Sequence, residues 1–365
     1  MTRRSIRIAG NVRNLPGPLW DSAFLRTCRG EAAPHTPVWL MRQAGRYMKE
    51  YRDVRGKASF LELCKDPALA CEVTLFARQF LGVDAAIIFS DILLILETLG
   101  LPLVFTPDDG PQLTRPIRSP TQLGQLGDPE QAAADLDVVY RACRLTAMGL
   151  PADIPLIGFC GAPFTLASYA IEGHSPKQSA QTRRFMYRHE DAWNRLQRIL
   201  VDALSATLRR QIEAGASCVQ IFDSWVGGLT RIDFATYVQP HLTRLVAQVP
   251  EGIPVILFGT STGHLVDLIA ACGADVIGVD TTTDLVEAWA RTGGPDRIAV
   301  QGNLDPGLLL ADRDRVLAGA DAVLAAAAGR PGHIFNLGHG VLKESDPELA
   351  KALVEHVHIA SARRR

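Results

Sequence analysis

The chain has no stretch of the roughly 18 consecutive apolar residues that a membrane-crossing helix requires. Its most apolar region, 85–105, is broken by Asp91 and Glu97. It has no excess of one charge either, since 38 Lys+Arg stand against 39 Asp+Glu for a net charge of −1. That balance argues against a dedicated nucleic-acid binder and against a chain disordered by self-repulsion. The seven cysteines form no CxxC pair and no His/Cys cluster, so neither a disulfide framework nor a thiolate metal site is indicated. Buried thiols in a reducing, cytoplasmic compartment are expected. No GxGxxG follows an early strand, which weakens a dinucleotide-binding reading. No GxSxG elbow surrounds Ser224, which argues against a hydrolase built on Ser224 and His339. The first residues carry Arg3, Arg4, Arg7 and Arg13 with no acid before Asp21, and we read them as a frayed tail.

With 47% hydrophobic and 21% charged residues in 365, the composition is that of a globular protein with an ample core. Short β-branched runs alternate with longer segments of three- and four-residue apolar spacing, the pattern of a parallel sheet with crossover helices. Candidate strands lie at 38–41, 85–89, 154–159, 218–222, 253–258, 275–279, 298–301 and 333–337. Eight is the number that a closed (β/α)8 TIM-type barrel requires. Asp66-Pro67 reads as the start of a helix ending near Gly82. One long helix is expected between 185 and 216, and a short one at 262–272. The runs 101–105 and 113–118, flanking a Pro-Asp-Asp-Gly-Pro turn at 107–111, read as a hairpin inserted after the second strand.

In such a barrel the residues just past the strand C-termini share one mouth, where the chemistry sits. Here they are Arg42 to Arg46, Ser90-Asp91, Gly161 to Thr165, Asp223-Ser224-Trp225, Gly259 to Thr262, Asp280, Gly302 to Asp305 and Gly338-His339-Gly340. Small residues dominate, which leaves room for a bulky ligand. Arg42 and Arg46 are four apart, so a helix starting at Gln43 would put both on one face, ready to grip carboxylates or phosphates. Asp91 sits in an apolar run, where a carboxylate is costly without a partner. It could cap the following helix, or oppose positive charge on a ligand. His339, between two glycines, should leave its ring open to the mouth. Tyr169, one turn into the helix after the third strand, can reach a ligand or pack.

These residues carry a resemblance. Pro37-Val38-Trp39-Leu40-Met41-Arg42-Gln43-Ala44-Gly45-Arg46-Tyr47 is similar to the N-terminal signature of the uroporphyrinogen decarboxylase family. Phe89-Ser90-Asp91-Ile92-Leu93, the block from Gly158 to Thr165, Phe222-Asp223-Ser224-Trp225, the block from Gly273 to Asp280, the block from Gln301 to Pro306 and Phe335-Asn336-Leu337-Gly338-His339-Gly340 follow in the family's order. The chain departs from it at Met48-Lys49-Glu50, at Thr281 and at Ser345-Asp346-Pro347. The resemblance implies one barrel domain over 20–361, preceded by a tail at 1–19.

It further implies the removal of carbon dioxide from the four acetate arms of uroporphyrinogen III to give coproporphyrinogen III, without cofactor or metal. Asp91 would accept the pyrrole N–H groups and stabilise the cation that forms. Arg42, Gln43, Ala44, Gly45, Arg46, Tyr169, Ser224 and His339 would contact the substrate, and Arg42 could also relay a proton despite its high pKa. A homodimer with facing mouths is implied as well. Two rivals remain at this level: a zinc-dependent cobalamin or thiol methyltransferase of the same superfamily, and a non-catalytic tetrapyrrole carrier. Gly259-Thr260-Ser261-Thr262-Gly263 offers no thiol ligand where such a methyltransferase has one, and His264 with Cys272 lacks a third ligand.

Overall fold

A computed structural model describes residues 15–106, 110–176, 179–294 and 298–363. The basic run from Arg3 to Arg13 lies outside them, as does the centre of the turn at 107–111. Among the described residues nine strands occur in the order β1 (Ala86–Ile87), β2 (Leu103–Thr106), β3 (Gly110–Leu113), β4 (Leu156–Gly161), β5 (Cys218–Asp223), β6 (Val255–Gly259), β7 (Val276–Gly278), β8 (Ala299–Gln301) and β9 (His333–Ile334). β2 and β3 pair with each other, antiparallel. The other seven form one curled parallel sheet in the order β1-β4-β5-β6-β7-β8-β9. Its strands are buried on both faces, which is why they read as continuous apolar runs rather than as alternating ones.

The segment 37–41 forms no full strand, yet it bonds to both edges of this sheet. On the β9 side Phe335 N donates to Pro37 O at 2.8 Å and Trp39 N to Phe335 O at 3.3 Å. On the β1 side Asp84 N donates to Val38 O at 2.8 Å, and Val38 N donates to Asp84 Oδ2 at 2.7 Å. Inside the sheet the Trp39 indole donates to Gln301 Oε1 at 2.9 Å, and Gln301 Nε2 donates to Gln220 Oε1 at 3.1 Å. All three side chains are buried, so this polar ladder ties the segment to β8 and β5 through the core.

The helix Pro67–Leu81 starts as its sequence dictates: Asp66 Oδ1 accepts from Ala68 N and Leu69 N, proline takes the first position, and Gly82 ends the helix at φ 71°. Two expectations need correction. The segment 185–216 is not one helix but the end of Ala180–Arg188 and then Glu190–Glu213, because His189 leaves the helical region at φ −137°, ψ 57°. Glu190 and Asp191 then supply the acidic first turn that suits a new helix N-terminus. Instead of a helix at 262–272 there is a 3-10 turn, Gly263–Leu265, leading into the short helix Val266–Ala270.

Gln301→Leu should leave the Trp39 N–H and the Gln220 carbonyl without partners and destabilise the fold by about 2–5 kcal/mol. Urea unfolding checks this, with a lower midpoint and an unchanged slope expected.

Candidate active site

The strand C-termini bring Arg42, Arg46, Asp91, Tyr169, Ser224 and His339 to one end of the sheet. Hydrogen bonds on either side of Met41 set the position of Arg42: Met41 N donates to Asn336 Oδ1 at 3.0 Å, and Val341 N donates to Met41 O at 2.9 Å. Arg42 is thereby held against the 338–341 loop. A Cβ on Gly340 would run into Arg42 Cδ, so glycine at this position leaves room for the arginine side chain where it lies. Arg42 itself takes the left-handed conformation at φ 61°, and the next helix begins only at Lys49–Arg55. The expected helix from Gln43 to Arg46 is therefore absent, and a turn brings the two arginines together instead. Arg52 braces that turn, its Nη1 donating to Arg46 O at 2.9 Å and to Tyr47 O at 2.7 Å. The spacing of Arg52 in the sequence carries no signal of this brace.

Gln43 faces inward rather than toward the mouth. It is 1% exposed, Leu40 N donates to its Oε1, its Nε2 donates to Ala85 O, and Gln43 O accepts from the Tyr47 hydroxyl. Its side chain fixes the turn, and Ala44 and Gly45 stand partly open beside it. The guanidiniums of Arg42 and Arg46 form no hydrogen bond or ion pair with any described residue. Arg42 opens to the mouth yet is ringed by protein atoms. That burial and the neighbouring Arg46 charge lower its pKa, while Tyr169 and Asp91 pull it upward.

Asp91 follows β1, with Oδ1 accepting from Leu93 N at 2.8 Å ahead of the helix Leu94–Thr98. It closes a turn before that helix rather than capping it. Burial pushes its carboxyl up to about 6, against the Leu93 N–H and the Arg42 charge, which favour the ionised form. Tyr169 lies on the buried helix Pro163–Glu172, and its ring meets Trp225 edge to face with centroids 6.2 Å apart. Burial raises its pKa, so it is a neutral hydroxyl near neutral pH. His339 is exposed to the mouth, as its flanking glycines suggested. The atoms packed around its ring and the Arg42 charge lower its pKa and favour neutral imidazole.

Ser224 is half-buried after β5, its backbone O accepting from the Thr260 hydroxyl. Its position depends on Asp223, which was quoted above as part of a motif but not singled out. Thr165 Oγ1 donates to Asp223 Oδ1 at 2.7 Å and accepts from Trp225 N at 3.4 Å, while Asp223 Oδ2 is buried without a partner. Burial pushes this carboxyl up to about 7, against the bonds from Thr165. Asp280 does similar positioning work after β7: it accepts from Ser261 N, from the Thr282 hydroxyl at 3.0 Å and from the Thr283 hydroxyl at 2.8 Å.

A cavity of about 750 Å³ lies beside this mouth, lined by Gln112, Arg118, Glu172, His174 and Ser175 among others. Arg42, Arg46 and Asp91 do not line it, so the charged mouth and not this cavity is the candidate site. His264 and Cys272 do not meet there: His264 Nε2 pairs with Leu229 O, and the Cys272 thiol with Leu268 O. The assembled groups set two guanidiniums beside one half-buried acid. Two free guanidiniums can take carboxylates, and Asp91 can accept N–H bonds or oppose a cation.

Because the Arg42 charge lowers the Asp91 pKa, Arg42→Gln should move the Asp91 titration upward from about 6. Carbon-13 NMR of labelled aspartate checks this, and an unmoved or lower midpoint contradicts the pairing.

Residues 20–359 match the family described as Uroporphyrinogen decarboxylase (URO-D). A protein of Carboxydothermus hydrogenoformans named uroporphyrinogen decarboxylase is 47% identical over 345 residues, covering 94% of this chain and 97% of its own. One of Chloroflexus aurantiacus with the same name is 48% identical over 345 residues, covering 92% and 94%. Among solved structures, a methyltransferase from Methanosarcina mazei superposes with a TM-score of 0.78 at 19% identity, over 92% of this chain and 97% of that one, a likeness of fold. With its strand-end motifs in order and a family match running nearly end to end, the chain belongs to the uroporphyrinogen decarboxylase family.

Proposed function

We propose that this mouth binds uroporphyrinogen III and converts its four acetate arms to methyl groups, giving coproporphyrinogen III and four molecules of carbon dioxide. The observation that carries the reading is the pair of unpartnered guanidiniums, Arg42 and Arg46, set beside the half-buried Asp91 carboxyl at one end of the sheet. Family membership supports the same activity. In this reading the segment 37–41 is the eighth stave of a closed barrel, and 20–361 is one domain with β2 and β3 as an insertion. The protein works as a homodimer in the cytoplasm.

Breaking the bond to a carboxylate leaves an electron pair that needs a sink, and the substrate supplies it. A proton added to the pyrrole ring beside an acetate makes an electrophilic cation. The carbon–carboxylate bond then breaks, carbon dioxide leaves, and its electron pair forms an exocyclic methylene that neutralises the ring. A proton added to that methylene gives the methyl group, and the ring proton departs. The net change at each arm is the uptake of one proton and the loss of one carbon dioxide.

Ionised Asp91 accepts the pyrrole N–H bonds and lowers the energy of the ring cation, an effect strengthened by the low dielectric around it. Arg42 and Arg46 take acetate and propionate arms. The lowered pKa of Arg42 is also the direction that favours proton relay. Ala44 and Gly45 line the approach, Tyr169 and Ser224 offer hydroxyls, and His339 donates from neutral imidazole to a carboxylate arm. Gln43 contributes by fixing the turn.

Asp91→Asn should keep the fold and lower kcat by at least a hundredfold, because the charge opposing the cation is gone. Arg46→Ala should mainly raise KM. Carbon dioxide release from uroporphyrinogen measures both and separates an enzyme from a carrier. Near-normal turnover by Asp91→Asn contradicts the role given to Asp91, and no release by the wild type contradicts the enzymatic reading.

A further inference from the structure

At the opposite end of the sheet, before the strands rather than after them, three side chains converge that the decarboxylation does not use. Asp84 precedes β1, His35 precedes the segment 37–41, and His358 lies on the C-terminal helix Pro347–Ala360. His35 Nε2 lies 2.8 Å from Asp84 Oδ1, and His358 Nε2 lies 2.8 Å from Asp84 Oδ2. The two rings meet edge to face with centroids 4.6 Å apart. Both histidines thus present the same atom to the same carboxylate, and all three ligand atoms lie within 4.8 Å of one another. This is the one group of His, Cys, Asp or Glu among the described residues with such a geometry.

We propose that His35, Asp84 and His358 form a binding site for a divalent cation of the zinc class, which fastens the C-terminal helix to the first segment of the sheet. Two imidazoles and one carboxylate are a donor set that first-row divalent ions take readily. Metal–ligand bonds of about 2.0–2.1 Å in a tetrahedral site hold the ligand atoms roughly 3.3 Å apart. The two 2.8 Å contacts need to open by about half an ångström to reach that spacing, a shift on the scale of side-chain rotation. On binding, each imidazole stops donating Nε2–H to Asp84 and offers the Nε2 lone pair instead, with its proton carried on Nδ1. One negative charge from Asp84 then faces the cation.

The surroundings suit a ligand set held in place. Val38 N donates to Asp84 Oδ2 and fixes the carboxylate from behind, as outer partners of metal ligands do. The strands of chain that carry the histidines are already joined on both sides: Thr36 N donates to Ser361 Oγ at 2.9 Å, and Arg363 N donates to Pro34 O at 2.8 Å. The side chains keep 27%, 13% and 29% of their surface exposed, which gives an ion a path in and a water access to a remaining position. The site lies away from the mouth, so its role is to hold the ends of the chain together.

The test uses the full-length chain without a histidine tag, stripped by chelator and titrated with zinc chloride against a chromophoric competitor. Thermal unfolding is followed with and without zinc. One ion per chain and a higher melting temperature are expected. His35→Gln and His358→Gln, which can each still hydrogen-bond Asp84, should weaken binding at least tenfold and abolish the thermal shift. Decarboxylation by both variants should be unchanged. Absence of saturable one-to-one binding to the wild type overturns the proposal and leaves a hydrogen-bonded triad. Binding that is equally tight in both variants also overturns it, because the ion then sits elsewhere.

Discussion

The site depends on a contest over one carboxyl group. Asp91 is half-buried, with protein atoms packed around its carboxyl that favour the neutral form, and it stands near Arg42, whose charge favours the ionised form. Each residue shifts the other, and the balance leaves Asp91 close to the pH at which it can exist in either state. Much of the architecture serves this pairing. Segment 37–41 bonds to both edges of the sheet and ends at Arg42, Gly340 admits the arginine side chain, Gln43 pins the turn from inside, and Arg52 holds it from outside. A small error in any of these would separate the charges.

A net charge near zero suits this design better than a basic surface would. A ligand bearing eight carboxylates calls for positive charge, but the charge is needed only where the arms land. Several other arginines are neutralised by nearby acids, as Arg209 and Arg210 are by Glu130 and Arg231 is by Asp267. Arg42 and Arg46 stand without such partners, so the local potential at the mouth exceeds what the sum over the chain suggests.

Much of this was legible in the sequence because it is local. The Asp66-Pro67 start and Gly82 stop of one helix, the buried strands and the glycines around His339 all follow from residue types a few positions apart. The same holds for the order of polar residues at the strand ends. What could not be read depends on backbone choices or on distant partners. Spacing suggested a helix for Arg42 and Arg46, whereas the left-handed backbone at Arg42 makes a turn. The apolar period through 185–216 continues across His189, although the backbone breaks there. Asp223 stood in view inside a motif, yet its orphaned oxygen and its bond to Thr165 exist only once β4 and β5 are paired. The convergence of His35 and His358 on Asp84 spans nearly the whole chain, and no local pattern announces it.

The central claim, that ionised Asp91 opposes the cation formed on the substrate, is tested most directly by the pH dependence of kcat/KM for carbon dioxide release. Its acid limb reports the free enzyme. The account predicts that kcat/KM falls as pH drops through about 6, where Asp91 takes up a proton. A profile that is flat across that range, or that rises as Asp91 becomes neutral, would contradict it.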